Sequence, residues 1–217
     1  MKEQFFGMPI WRENIDSKSY NKKEIIDTIT RNYQKNRSRN KWWSTTSDVH
    51  HIYDDWDNIE YESPDWDNSL MSLYKGVLQR FLNTIDAEFF NFNFSIVNYT
   101  CYGNLQYIQE HLHPKTDFVG IHYIRFDTES HTPTRFINPM GYAKYLEDIR
   151  NEKGVKYHDN ATSNSWILPS WEPKVIEDDM IIHPALLAHD VRPQTCDDDN
   201  LRIASVLNIN VYDTSHR

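Results

Sequence analysis

Apolar residues recur along this chain with two periods, and the change between them divides it. From Ser19 onward, Ile25, Ile26, Ile29 and Tyr33 form the stripe of an amphipathic helix. A stronger stripe of Leu70, Leu73, Tyr74, Val77, Phe81, Leu82 and Ile85 predicts a helix from about Asn68 to Asp86. At Phe92 the period drops to two: Phe92, Phe94, Ile96 and Asn98 alternate with Asn93, Ser95, Val97 and Tyr99, as in a strand. Further strands are predicted over Leu105 to His113, Val119 to Phe126, Thr134 to Ile137, Lys174 to Ile182, Leu186 to Val191 and Leu201 to Val211. Gly141 to Arg150 reads as a short helix within an insertion reaching about Trp166. Residues 1–16 read as an irregular or extended lead-in, and Trp42 to Asp67 is aromatic and acidic without a period.

Helices first and many short strands afterwards predict a mainly β, α+β fold, a barrel or jelly roll with supporting helices. A chain of 217 residues fits one domain, with residues 1–90 as helical support and 91–217 as the core. Aromatics at 14% predict a core rich in Trp, Tyr and Phe. The net charge of −9 argues against nonspecific nucleic-acid binding, which depends on Lys and Arg neutralising phosphates. Only 6 glycines leave little room for glycine-rich phosphate loops. Cys101 and Cys196 are too few for a disulfide framework, which points to a reducing, cytoplasmic setting. Met1 to Ile10 lacks a signal-peptide pattern, and no stretch approaches the roughly 20 apolar residues of a membrane span.

The candidate chemistry lies in Gln109-Glu110-His111-Leu112-His113-Pro114 and, much later, His183-Pro184-Ala185-Leu186-Leu187-Ala188-His189. Residues separated by one other share a strand face, so His111 and His113 can aim at one ion, and His189 can close the site from another strand. Such a site suits mononuclear iron with open positions for substrate and oxygen. The same pair also fits a surface strand with two solvent-facing histidines. Arg202 opens an apolar strand, Ile203 to Val211, where a buried guanidinium needs a carboxylate partner. That partner is either an internal Asp or Glu, or the distal carboxylate of a dicarboxylic cosubstrate.

Taken in order, these motifs make the chain resemble the iron(II)/2-oxoglutarate-dependent oxygenases, in particular a prokaryotic and phage group with an H-x-H-P motif. The residues that carry the resemblance are Trp42-Trp43-Ser44, His111-Leu112-His113-Pro114, Gly120-Ile121-His122-Tyr123, Pro184 to His189, and Arg202. The resemblance implies a double-stranded β-helix binding Fe(II), with His111 as the first ligand and His189 as the distal one. It also implies 2-oxoglutarate as cosubstrate, its far carboxylate held by Arg202 and hydrogen-bonded by Tyr123. His113 stands where most of the superfamily carries an aspartate, which makes a three-histidine set the favoured reading over a water, Glu110 or Asp117. His183 precedes Pro184 where an aromatic residue is expected, and Ala204 stands where the common R-x-S ending has serine.

The resulting expectation is an oxygenase of hydroxylase type, acting on a small-molecule or peptide substrate without a membrane partner. The segment from Phe126 to Trp166 is expected to cover the substrate. Whether the chain forms a homo-oligomer is left open. Two rivals remain: a non-enzymatic jelly-roll binding or assembly protein with a degenerate metal site, and a three-histidine cupin-type dioxygenase. Only the 2-oxoglutarate enzyme has a use for Arg202. His50-His51, the acidic runs at Asp54-Asp55, Asp57 and Asp197 to Asp199, and Trp42, Trp43 and Trp56 are read as loop, turn and packing residues.

Overall fold

The computed structural model describes residues 2–5, 8–35, 48–51, 62–85, 90–139, 168–197 and 199–213. Among the described residues two α-helices, α1 (Lys22–Lys35) and α2 (Asn68–Thr84), accompany eleven strands. The strands are β1 (Lys2–Phe5), β2 (Met8–Asn14), β3 (Asp48–His51), β4 (Phe90–Tyr102), β5 (Ile108–His111) and β6 (Phe118–Arg125), then β7 (Thr134–Ile137), β8 (Ser170–Trp171), β9 (Asp179–Pro184), β10 (His189–Val191) and β11 (Arg202–Asp213). A seven-stranded sheet runs β1-β2-β9-β6-β11-β4-β3, and a four-stranded sheet runs β5-β10-β7-β8. Every pairing is antiparallel. This is the expected double-stranded β-helix, mainly antiparallel β with two supporting helices.

β11 is the spine of the larger sheet, pairing with β4 from Arg202↔Tyr102 to Asp213↔Phe90 and with β6 on its other side. Its residues alternate between two cores. Ile203, Leu207 and Ile209 join the cluster beneath the helices, whereas Ala204 and Val206 join Ile121, Phe136 and Leu187 between the sheets. The helices supply Ile25, Ile29 and Tyr33 from α1 and Leu70, Tyr74, Val77, Leu78, Phe81 and Leu82 from α2. Each such side chain contributes about 1.5–3 kcal/mol when fully buried, so the helix faces pin the outer side of the sheet and leave its inner side for the site. α2 begins where Asp67 Oδ1 accepts the Leu70 N–H at 2.6 Å, a cap worth about 1 kcal/mol.

The helix-side core also buries a polar network. The Tyr74 hydroxyl lies 2.8 Å from both His122 Nδ1 and Ser205 Oγ, and Asp178 accepts from Tyr20 and from Lys22. His122 Nε2 faces the Asp178 carboxylate at 3.7 Å, an acceptor, so the ring proton sits on Nε2 and Nδ1 accepts from Tyr74. Burial outweighs the pull of Asp178 and lowers the His122 pKa, which leaves the imidazole neutral. Burial raises Asp178, but the facing His122 imidazole and the hydrogen bonds from Lys22 and Tyr20 outweigh it and hold the carboxyl below its usual value.

A pH dependence follows. Below about pH 6.5 the unfolded chain takes up a proton that native His122 refuses, so stability falls by about 1.4 kcal/mol per pH unit from this group. Asp178 stabilises above its unfolded value of about 3.9 and loses that effect only as pH falls through its lower native value, so it does not contribute to this slope. Urea unfolding between pH 7 and 5 is expected to show a shallower pH slope for His122→Gln than for wild type. Equal slopes would mean that native His122 is protonated.

Several elements differ from the sequence reading. The lead-in forms β1 and β2, and β2 inserts Trp11 to Asn14 beside β9. The strand expected from Lys174 starts only at Asp179, because the chain first turns at Asp178 with φ 66°. The strand expected over Leu105 to His113 shortens to β5, since Leu105 (φ 59°) and Lys115 (φ 74°) bend the chain on either side. The helix expected over Gly141 to Arg150, most of the segment expected to cover the substrate, and Trp42, Trp43 and Trp56 lie outside the described residues. No described helix is long and apolar enough to cross a membrane.

Candidate metal centre and its pocket

His111 and His189 face each other directly across the β5–β10 pair, and opposed residues on antiparallel strands share a face. Their ring centroids lie 4.3 Å apart. A bulge sets this register: Val191 pairs with Ile108, so Gln109 and Glu110 together oppose Asp190 alone. Ile108 therefore replaces the expected Gln109 on the inner side, and Gln109 and Glu110 are exposed.

His113 lies past the end of β5, so strand alternation does not place it as the sequence pattern suggested. A hydrogen bond from its N–H to Ala185 O at 3.0 Å anchors that turn. Its ring still reaches the others, with centroids 5.3 Å from His111 and 5.2 Å from His189. One ligand atom from each of the three lies within 4.8 Å of the other two, the one such cluster among the described residues. The alternatives do not join it. Glu110 is exposed, and Asp117 is occupied with β11, accepting from the Val211 N–H and donating its own N–H to Ile209 O.

The chain holds two of the rings ready for a metal. His111 Nδ1 sits 2.8 Å from Gln109 O and His189 Nδ1 sits 2.9 Å from Leu187 O. A carbonyl only accepts, so in both rings the proton is on Nδ1 and the lone pair on Nε2. Burial pushes the pKa of His111 down and that of His189 well down, so no proton need be displaced on binding.

A fourth ring, which the sequence reading noted only as a departure, supports the site. His183 is fully buried, 4.7 Å from His189 and 4.9 Å from Phe136 between centroids. Its Nδ1 donates to Pro184 O, and burial pushes its pKa down to about 3. It packs where an aromatic residue was expected and acts as one.

Across the pocket, Arg202 is 1% exposed. Its Nε donates to Thr132 O at 3.0 Å, and the guanidinium carbon lies 5.4 Å from the centre of the Tyr102 ring and 5.0 Å from that of Tyr123. Among the described residues no carboxylate pairs with it. Tyr123 turns its hydroxyl to accept the Thr134 N–H at 3.1 Å and supports Arg202 with its ring. A cavity of about 310 Å3 joins the three histidines to Arg202, walled by Tyr102, Ile108, Thr134 and Val191 on one side and Val97, Asn98, Ile121 and Asn208 on another.

No protein-family model matches the chain, and no curated protein matches it. Solved structures share its fold. A prolyl-4-hydroxylase from Pseudomonas putida superposes with a TM-score of 0.50 at 10% identity, covering 93% of this chain and 91% of that one. A prolyl hydroxylase from Trichoplax adhaerens, solved with a hypoxia-inducible-factor peptide fragment, gives 0.53 at 12% identity over 93% and 83%. The non-heme α-ketoglutarate-dependent epimerase SnoN from nogalamycin biosynthesis gives 0.54 at 9% identity over 94% and 77%.

Proposed function

We propose that this protein is an Fe(II)- and 2-oxoglutarate-dependent oxygenase of hydroxylase type. One observation carries the reading: three convergent histidines share a pocket with a buried arginine that has no carboxylate partner among the described residues. A buried guanidinium without a counter-ion is costly, and a dicarboxylate that also reaches the metal removes that cost. The fold shared with two prolyl hydroxylases and an α-ketoglutarate-dependent epimerase agrees with it.

The donor set fits the metal. Imidazole nitrogens suit first-row divalent ions, iron among them, and His111, His113 and His189 would hold one. When bound, iron supplies oxygen activation coupled to decarboxylation of 2-oxoglutarate to succinate and CO2, with one oxygen atom passing to the substrate. Because His113 brings no charge where a carboxylate ligand would, the anionic cosubstrate balances more of the ion's charge.

The chain's own residues bind and orient. Arg202 presents its planar fork to the distal carboxylate. Thr132 fixes Nε, and the Tyr102 and Tyr123 rings flank the cation. Ile108 and Val191 keep the space between arginine and histidines apolar, which strengthens the ionic contact. The primary substrate is a small molecule or a peptide side chain, since the cavity admits little more beside the cosubstrate.

Arg202 speaks against a cupin-type enzyme that needs no cosubstrate, and the histidines and arginine gathered on one cavity against a purely structural role. The test is turnover: purified protein with Fe(II), 2-oxoglutarate and O2 is expected to release succinate slowly even without its substrate, and none under nitrogen. Metal-loaded protein that binds 2-oxoglutarate but never forms succinate would leave it a binding protein.

A further inference from the structure

The pocket has a second polar end that the oxygenase chemistry does not use. Asn98 on β4 and Asn208 on β11 both line it. Asn98 is 7% exposed, and Oδ1 of each asparagine is sealed from solvent without a hydrogen-bond partner among the described residues. Leaving a buried amide oxygen unpaired is unfavourable, and two of them on one pocket call for a donor from outside the chain.

The backbone brings the two together. Asn98 pairs with Val206, and Asn208 stands two residues further along the same face of β11, so their α-carbons are diagonal neighbours about 7–8 Å apart. A bulge then interrupts β4: Leu207 pairs with Ile96, leaving Val97 as the extra residue. Asn98 and Val97 both line the pocket, while Ile96 and Phe94 turn to the helix-side core.

Arg202 lies at the start of β11 and Asn208 six residues on, about 20 Å along an extended strand. A cosubstrate held at Arg202 therefore leaves the asparagine end open. Among the described lining residues there is no Asp, Glu or Lys, and the walls near the asparagines are Val97, Ile121 and Val206. A charged group there would lose its hydration without gaining a counter-ion. The two orphan oxygens call for N–H donors, which a primary carboxamide supplies without charge while its own oxygen can accept from an asparagine Nδ2.

We propose that Asn98 and Asn208 recognise the primary substrate through a neutral carboxamide group. This rests on the oxygenase reading of the same pocket and adds the class of substrate to it.

The test uses the full chain loaded with Zn(II) and 2-oxoglutarate, which is redox-inert. Butanamide is the probe, followed by protein NMR, with butanoate and butylammonium as charged controls. The amide is expected to shift the Asn98 and Asn208 side-chain signals and the methyl signals of Val97, Ile121 and Val206 beside them, and the charged controls to leave all of these unmoved; in the variants the methyl signals carry the readout. Asn98→Leu and Asn208→Leu should abolish the amide response, keep 2-oxoglutarate affinity within about twofold, and raise Tm by about 2–5 °C as an unpaired buried amide is removed. An amide response that survives both substitutions, no response at all, or a lower Tm in both variants would overturn the proposal, the last by showing that the asparagines serve the fold. Loss of 2-oxoglutarate binding by the unmodified chain would instead strike the oxygenase reading.

Discussion

Replacing His189 by alanine is expected to cost the protein its metal. Wild-type chain should take up about one Fe(II), or Mn(II), Ni(II) or Zn(II) in its place. Altering an outer partner of a ligand costs about 10–100-fold in affinity, so deleting a ligand should cost more than about 100-fold. His111→Ala should do the same, since the two rings face each other across β5 and β10 and both present Nε2. His113 separates a three-histidine site from a two-histidine one. If it ligates, His113→Ala weakens binding and His113→Asp restores it with a charged ligand, shorter reach being the obstacle. Metal content after dialysis, and titration of each variant, read this directly. Unchanged stoichiometry in both His111→Ala and His189→Ala would remove the site.

The second large effect belongs to Arg202. Arg202→Ala should weaken 2-oxoglutarate binding to the metal-loaded protein by about 2–5 kcal/mol, roughly 30-fold to several-thousand-fold, because the distal carboxylate is left buried and unpaired. Arg202→Lys should recover part of this, as an ammonium cannot present a planar fork. Calorimetry with 2-oxoglutarate and with 2-oxobutanoate, which lacks the distal carboxylate, gives the control: the monoacid should bind wild type and Arg202→Ala alike. Equal 2-oxoglutarate affinities for wild type and Arg202→Ala would take this role from the arginine.

The elements that could be read from the sequence were those whose period survives folding. α2 begins at Asn68 as its stripe predicts, and β7 and β11 fall where alternation puts them. The double-stranded β-helix and the meeting of His111, His113 and His189 were legible from motif order. What escaped lay at bulges and turns, where period-two reasoning fails. The bulge in β5 exchanges Gln109 for Ile108, and His113 reaches the site from a turn. The bulge in β4 separates Ile96 from Asn98, which simple alternation had set on one face, and so hid the asparagine pair. That no carboxylate among the described residues pairs with Arg202 was also beyond the sequence, because Thr132 and the two tyrosine rings that hold it come from separate segments.

The three convergent histidines belong to the four-stranded sheet, on or just beyond β5 and β10, while Arg202 begins β11 in the seven-stranded sheet. A dicarboxylate that touches both is therefore a strap between the two halves of the sandwich. Linkage then makes each ligand favour the other: metal gives 2-oxoglutarate its second anchor, and 2-oxoglutarate fixes the sheet that carries the histidines. Stabilisation by a ligand grows as RT ln(1 + [L]/Kd), so the melting temperature should rise further with both present than the sum of the separate shifts. If the pocket holds both ligands, the protein tightens most when loaded with both, and at low 2-oxoglutarate it surrenders the metal more readily.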